Sequence, residues 1–311
     1  MMFEKILVLT DFSAYARKSL EYIRDFPDVK DVVLLNVVAK DPQAKAWDPI
    51  AEIKNAKKKL AKEKKLLESS GVNVTVRAVS AREGEIDTEI PAAIQSVASD
   101  ENVQLVVMGA RGKSLVQSIL LGSLTRNLLR FGDKHLLIMR YKMPGNSGTK
   151  DRSLKIAEPP DGPEMLEKFG TKIFSKVLIP TDFSQPADAV ISSIGSLKGI
   201  KEIVLLHVIS KGESKEEIEA AVKDATMKLN HISQELSQGS VKVTPRVAVG
   251  SPTEAIRSVA EDENVSLIAI SSVGRDALRS GRIGSITYDV ANTANRPVLV
   301  FRLKLVYNFA F

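Results

Sequence analysis

Short, uninterrupted apolar runs alternate with longer stretches of helical period along most of this chain. The first run is Lys5 to Thr10, KILVLT. Its β-branched, almost wholly apolar character suits a central strand of a parallel sheet. Asp11, Phe12 and Ser13 follow. Ser13 is placed to cap a helix over about 14–25, with Ala16, Leu20 and Ile23 on its inner side. Val32 to Val38 reads as the next strand. Pro42 to Pro49 reads as a loop and holds the only tryptophan, Trp47. A long amphipathic helix is predicted over about 51–69, with Ile53, Ala56, Leu60, Ala61 and Leu67 as its stripe and Gly71 as its stop. Val72 to Val79 alternates enough for an outer strand. A helix from Ile86 to Ser99, a strand from Val103 to Met108, a helix between Gly122 and Gly132, and a strand from Leu136 to Met139 complete the unit.

The unit then repeats. KILVLTDFS at 5–13 returns as KVLIPTDFS at 176–184, and DVVLLNVV at 31–38 as EIVLLHVI at 202–209. ENVQLVVMGARG at 101–112 returns as ENVSLIAISSVG at 263–274, GSLTRNLL at 122–129 as GSITYDVA at 284–291, and KHLLIMR at 134–140 as RPVLVFR at 296–302. Internal repetition of whole elements predicts two domains. Strand and helix alternation makes each an α/β unit of the doubly wound kind. The expected division is 1–141, a linker over 142–173, and 174–311. The linker segment is rich in proline and glycine, with a short helix expected around Glu164 to Phe169. The tail after Arg302, LKLVYNFAF, is apolar and is expected to pack against the molecule or a partner.

The stretch 103–140 carries the candidate chemistry. Gly109 and Gly112, then Gly122 and Ser123 nine residues on, stand between a predicted strand and a predicted helix. Backbone N–H groups of such a loop, with the open N–H groups of a helix start, form a natural anion site. The spacing is neither that of dinucleotide folds nor that of the P-loop. The competing reading is that these glycines only permit tight turns and close packing.

Composition narrows the chemistry. The 311 residues are 44% hydrophobic, enough for a real core in two domains. A net charge of +6 does not by itself argue for nucleic acid. The lysine-rich run KNAKKKLAKEKK at 54–65 is diluted by acids and has no interleaved aromatics, so it reads as a solvated helix face. Cysteine is absent, which excludes disulfides and thiolate chemistry. The three histidines, His135, His207 and His231, are scattered, and no metal site is expected from them. The N-terminus lacks a signal-peptide pattern, and no apolar run approaches the roughly 20 residues that span a bilayer. A cytoplasmic protein is expected.

Taken together, the repeat, the aspartate after each first strand and the G-x-x-G, nine residues, G-S loop resemble the universal stress protein family in its tandem form. The resemblance implies two five-stranded parallel sheets of order 3-2-1-4-5 with helices on both faces, and an adenine nucleotide (ATP, ADP or AMP) held where that order reverses. It implies roles residue by residue. Thr10 and Asp11 would meet ribose or base. Val37 and Val38 would offer backbone groups to the adenine edge, and Met108 would line the nucleoside. Gly109 and Gly112 would admit the phosphates, and Gly122, Ser123 and Leu124 would receive them. Arg111 and Lys113 would neutralise their charge, and Mg would be carried on the phosphates.

In the second half the same roles fall to Pro180, Thr181, Asp182, Val208, Ile270, Gly274, Gly284 and Ser285. The first loop glycine there is replaced by Ser271, which is expected to weaken the site if the position needs positive φ or room for phosphate. The first half has Ser80-Ala81-Arg82 where the second has Val249-Gly250-Ser251. The first half is expected to be the tighter site. No catalytic constellation is visible, so any ATP hydrolysis would be slow. The alternatives are an interaction protein with a relic loop and a slow nucleotide hydrolase. Asp11 itself could simply cap the following helix. The two fifth strands are expected to pair as an intramolecular pseudo-dimer, with a homodimer of tandem chains beyond that.

Overall fold

The computed structural model describes residues 2–24, 26–40, 47–81, 86–110, 121–142, 166–170, 172–210, 212, 214–237, 241–274 and 283–303. The first half runs β1 (Lys5–Leu9), α1 (Ala14–Ile23), β2 (Asp31–Val38), α2 (Pro49–Glu68), β3 (Asn73–Ser80), α3 (Ile86–Asp100), β4 (Leu105–Gly109), α4 (Ser123–Phe131) and β5 (His135–Met139). The second half repeats that order. It comprises β6 (Lys176–Pro180), α5 (Gln185–Gly195), β7 (Glu202–Ile209), α6 (Lys215–Leu236), β8 (Lys242–Val249), α7 (Pro252–Asp262), β9 (Leu267–Ser271), α8 (Ser285–Thr293) and β10 (Val298–Phe301).

All ten strands join one sheet in the order β3-β2-β1-β4-β5-β10-β9-β6-β7-β8. Pairs inside each half are parallel, as helical crossovers require. The join is antiparallel, with Ile138 opposite Val298, Leu137 opposite Leu299 and Leu136 opposite Val300. Each half therefore has the predicted 3-2-1-4-5 order, and the predicted pairing of fifth strands is the one the structure has.

Side chains alternate across the sheet into two cores. Ile6 and Val8 face the α1, α2, α5 and α6 side with Leu20, Leu60, Ile194 and Leu229. Leu7 faces the other side, with Ile94, Leu128, Ile256 and Val290 from α3, α4, α7 and α8. Each core runs unbroken through both halves. Central strands buried on both faces need hydrocarbon at every position, which is why they read as continuous apolar runs.

The join is further tied by reciprocal arginines. The guanidinium of Arg140 donates to the carbonyls of Ala291 (2.8 Å) and Asn292 (3.2 Å) at the end of α8. Arg302 donates to Leu128 and Leu129 at the end of α4. Each fifth strand thus places a cation on carbonyls in the last turns of the opposite half's final helix. His135 lies edge-on to Phe3 and Phe301, and its Nδ1 accepts from the Arg302 amide at 3.0 Å.

Several local expectations need correction. α2 begins at Pro49, two residues earlier than predicted, because Asp48 caps it by accepting from Ile50 (3.0 Å) and Ala51 (3.1 Å). Proline suits the first helical position, where its missing N–H costs nothing. Ala61 is exposed and does not belong to the inner stripe. The buried position on that side is Glu63. The expected helix around 164–169 is absent over Leu166–Phe169; Glu167 instead forms a two-way backbone bridge with Lys142. Phe169 is buried there, its amide donating to the Tyr22 hydroxyl at 2.8 Å and its ring lying under Arg296. Most of the predicted linker, most of the segment before Trp47, and the apolar tail from residue 304 lie outside the described residues.

Candidate functional site

Each half builds the same turn at the end of its first strand. In the first, the Thr10 amide donates to Leu35 (2.9 Å), and the Thr10 hydroxyl accepts from Phe12 (3.0 Å). Asp11 Oδ1 accepts from the Ser13 amide at 3.0 Å, and Ser13 in turn caps α1 by accepting from Ala16. In the second, Thr181, Phe183, Asp182 and Ser184 repeat the contacts to the amides of the turn, but the Ser184 hydroxyl donates to Asp182 Oδ1 and does not cap α5. Phe12 and Phe183 take φ of 65° and 58°, unusual for a bulky side chain. The turn holds the backbone there because threonine and aspartate both close rings onto the amides beyond them.

Asp11 therefore helps start the helix, as its simpler reading has it, but through one oxygen only. Its Oδ2 is buried and has no hydrogen-bond partner among the described residues. In the second half Asp182 Oδ2 is directed at the glycine loop. A Cβ on Gly274 would stand 3.0 Å from it. Glycine is needed at 274 for that approach, not for a left-handed backbone.

The loops after the fourth strands are pinned alike. Gly122 donates to Ala110 (3.0 Å), and Gly284 to Ser272 (2.8 Å). Thr125 Oγ1 donates to the Gly109 carbonyl at 3.2 Å, and Thr287 Oγ1 to Ser271 at 2.7 Å. These two threonines fix the loop to the strand end; sequence reasoning missed them, although the recurring G-S-L/I-T spacing carried the signal. Gly122 and Gly284 are helix N-caps with no side-chain cap bond, so the first N–H groups of α4 and α8 stay available. Ser123 and Ser285 are exposed at those starts, and Leu124 packs against the second core.

Ser271 does not take a positive φ, and neither does Gly109. The expected backbone penalty of serine at this position is absent. Ser271 is buried, and its hydroxyl accepts from the Val273 amide at 3.3 Å.

In the second half these elements enclose a pocket of about 230 Å³. Its apolar wall is Leu206, Val208, Pro252, Ile256 and Ile270. At its polar end are Asp182, Ser271, Gly274, Gly284 and Ser285, with Pro180 and Thr181 at the strand end. All eight residues expected for this half line it. His207, noticed in the sequence only as scattered, also lines it. Its Nδ1 lies 2.8 Å from the Thr181 carbonyl, which can only accept, so that nitrogen carries the proton. The ring stacks on Phe183 at 4.5 Å. Asn36 does the same work in the first half, donating to Thr10 at 2.8 Å. Beside the second turn, burial and the Asp182 carboxylate push the Asp188 carboxyl above its ordinary range.

The first half brings Thr10, Asp11, Val37, Gly109, Gly122 and Ser123 to the matching edge of the sheet. Met108 is buried in the second core. The Val38 carbonyl is already committed to the Ala81 amide at 2.9 Å. Arg111, Gly112 and Lys113 lie outside the described residues.

A doubly wound sheet repeated in tandem, with a pocket in the second half at the point where its strand order reverses, places the chain among the doubly wound α/β proteins. Comparison with known proteins gives the family. The model of the universal stress protein family matches residues 2–140 and again 174–302, and the chain belongs to that family. Universal stress protein MJ0577 of Methanocaldococcus jannaschii is 34% identical over 157 residues, spanning 42% of this chain and 97% of the relative. A universal stress protein structure from Archaeoglobus fulgidus shares the fold over 96% of both chains, with a TM-score of 0.65 at 22% identity. A Pseudomonas aeruginosa protein of unknown function has the same fold, with a TM-score of 0.59 at 17% identity over 96% of this chain and 92% of its own.

Proposed function

We propose that this protein binds an adenine nucleotide, ATP, ADP or AMP, and serves as a cytoplasmic stress-response regulator rather than as an efficient enzyme. The observation that carries the reading is the second-half pocket, with an apolar wall at one end and open helix N–H groups at the other. An aromatic base suits the wall, and a phosphate suits a helix start flanked by glycine. The pocket's volume lies just below the range of roughly 300–1,000 Å³ usual for small-molecule sites. It would take the nucleoside and leave the phosphates along α8. Gly274 and Gly284 fit that role, since side chains there would fill the approach. Magnesium would arrive on the phosphates, as it commonly does, and would balance their charge. A homodimer of tandem chains belongs to the same proposal; light scattering that returns only the monomer mass at micromolar concentration would remove it.

The deciding experiment is mass spectrometry of small molecules released from the denatured protein, followed by calorimetric titration with ATP, ADP and AMP. One or two adenine nucleotides per chain, or saturable binding on titration, is the expected outcome. No recovered nucleotide together with no saturable heat would leave an interaction protein with a relic loop.

A further inference from the structure

One of the contacts that hold the first half's loop comes from the other half. Leu121 stands directly before Gly122, the N-cap of α4. Its side chain is buried, and its amide donates to Oδ1 of Asn292 at 3.2 Å. Asn292 lies in the last turn of α8, the helix whose start carries Gly284 and Ser285 of the second site. An N–H can only donate, so the side-chain oxygen of Asn292 is the atom that faces the loop. The bond is partly buried, and a donor that loses its acceptor in such a place is only partly compensated by water.

The matching place in the second half cannot make this bond. The repeat sets Leu121 against Ile283 and Asn292 against Arg130. A guanidinium carries donors and no acceptor, so Arg130 has nothing to offer the Ile283 amide. It lies instead over the Tyr288 ring of α8, 4.7 Å from its centre. Where α4 and α8 meet, an acceptor therefore reaches the first loop, while a cation reaches an aromatic ring on the other side. Within its own half each loop has two matching ties: Gly122 to Ala110 with Thr125 to Gly109, and Gly284 to Ser272 with Thr287 to Ser271. Among the described residues, a third tie from across the join is made to the first loop alone.

We propose that Asn292 is a positioning residue of the first site, supplied by the second half: it holds the chain just ahead of α4, so that the open N–H groups of that helix stay set for an anionic ligand. The ligand part rests on the nucleotide reading above; the tie itself does not. The first amides of a helix serve an anion as a preset group, each pointing the same way. Leu121 stands directly before them, and it has little freedom once its side chain is buried and its amide is bonded. Without the acceptor the amide turns towards another partner, and the loop end turns with it. The join survives that loss, because Arg140 bonds to the backbone carbonyls of Ala291 and Asn292 and not to the Asn292 side chain. The first site is thus complete only when the two halves are joined.

Solution NMR of the full chain tests both parts. Amide hydrogen exchange reads the tie without any ligand. N292L is close in size and has no acceptor, and it should speed exchange at the Leu121 amide by about tenfold or more. N292D keeps an acceptor oxygen in place and should retain the protection. Equal Leu121 exchange in the wild type and N292L, or equal loss of protection in N292L and N292D, overturns the proposal, whether or not nucleotide binds. Titration with ATP then reads the ligand part, with the Ser123 amide reporting the first site and the Ser285 amide the second. N292L should weaken the Ser123 response about tenfold and leave the Ser285 response unchanged. An unchanged Ser123 response overturns the positioning role, and so does equal weakening at both serines, which would mean a loosened join. ATP felt at Ser285 alone leaves the nucleotide reading standing but removes the first site, and the proposal falls. If ATP moves neither amide, the nucleotide reading falls and the ligand part with it, while hydrogen exchange still decides the tie.

Discussion

At the scale of single residues, Asp11 and Asp182 each do two things. One oxygen closes the turn that starts a helix, while the carboxylate as a whole stands at the mouth of the sheet edge. Gly274 shows how narrow the second half's arrangement is. Gly274→Ala places a methyl 3.0 Å from Asp182 Oδ2 and must displace the carboxylate. We expect ATP affinity of the second site to fall roughly tenfold, about 1.4 kcal/mol, with little loss of fold stability; calorimetry and thermal melting read the two effects separately. His135 gives a prediction of another kind. Burial, and secondarily the charge of Arg302, hold its pKa down to about 4 from an ordinary 6.5. The unfolded chain then binds a proton that the folded chain refuses. Its contribution is complete above about pH 6.5 and is lost as pH falls towards 4, on the order of 3 kcal/mol at most. A melting temperature that does not drop across that window, or that drops equally in His135→Asn, would contradict this.

At the scale of elements, the sequence was clearest where one local cause was enough. Strand runs, the Ser13 cap and the stop at Gly71 follow from side-chain pattern and backbone conformation alone. Gly71 takes φ of +83° with open space around it. Gly71→Ala should therefore cost about 1–2 kcal/mol from backbone strain, with no clash, as read by urea unfolding. The sequence was less clear where local signals competed. Pro49 marked a loop to the eye but is the first residue of α2, because Asp48 ahead of it supplies the cap. Asp48→Ala should cost about 1 kcal/mol. Glu63 was passed over because a charge on a lysine-rich helix reads as solvent-facing; only the packing of α2 against the sheet shows it to be buried.

At the scale of the whole molecule, the two halves are one sheet, and their join is made as carefully as either core. Leu299 is fully buried opposite Leu137. Leu299→Asp puts an unpaired carboxyl into that join and should cost at least about 3 kcal/mol. Calorimetry should show the halves melting apart in the variant; a single unshifted transition would mean that the join does not couple them.

The sequence by itself determined the tandem repeat and the alternation of strand and helix within each half; the strand order, and the sheet edge expected to take a ligand, came through the family resemblance. Repeat and alternation follow from hydrophobic period and from repetition, both of which are properties of neighbours in the chain. The tertiary structure decided the rest. It showed that Ser271 carries no backbone penalty, that Thr125 and Thr287 tie each loop to its strand, that each terminal arginine bonds to a helix end of the other half, and that Glu63 lies buried in the inner stripe of α2. Each of these depends on residues far apart in sequence meeting at ångström distances, where burial and the count of available donors, rather than residue type, set the chemistry.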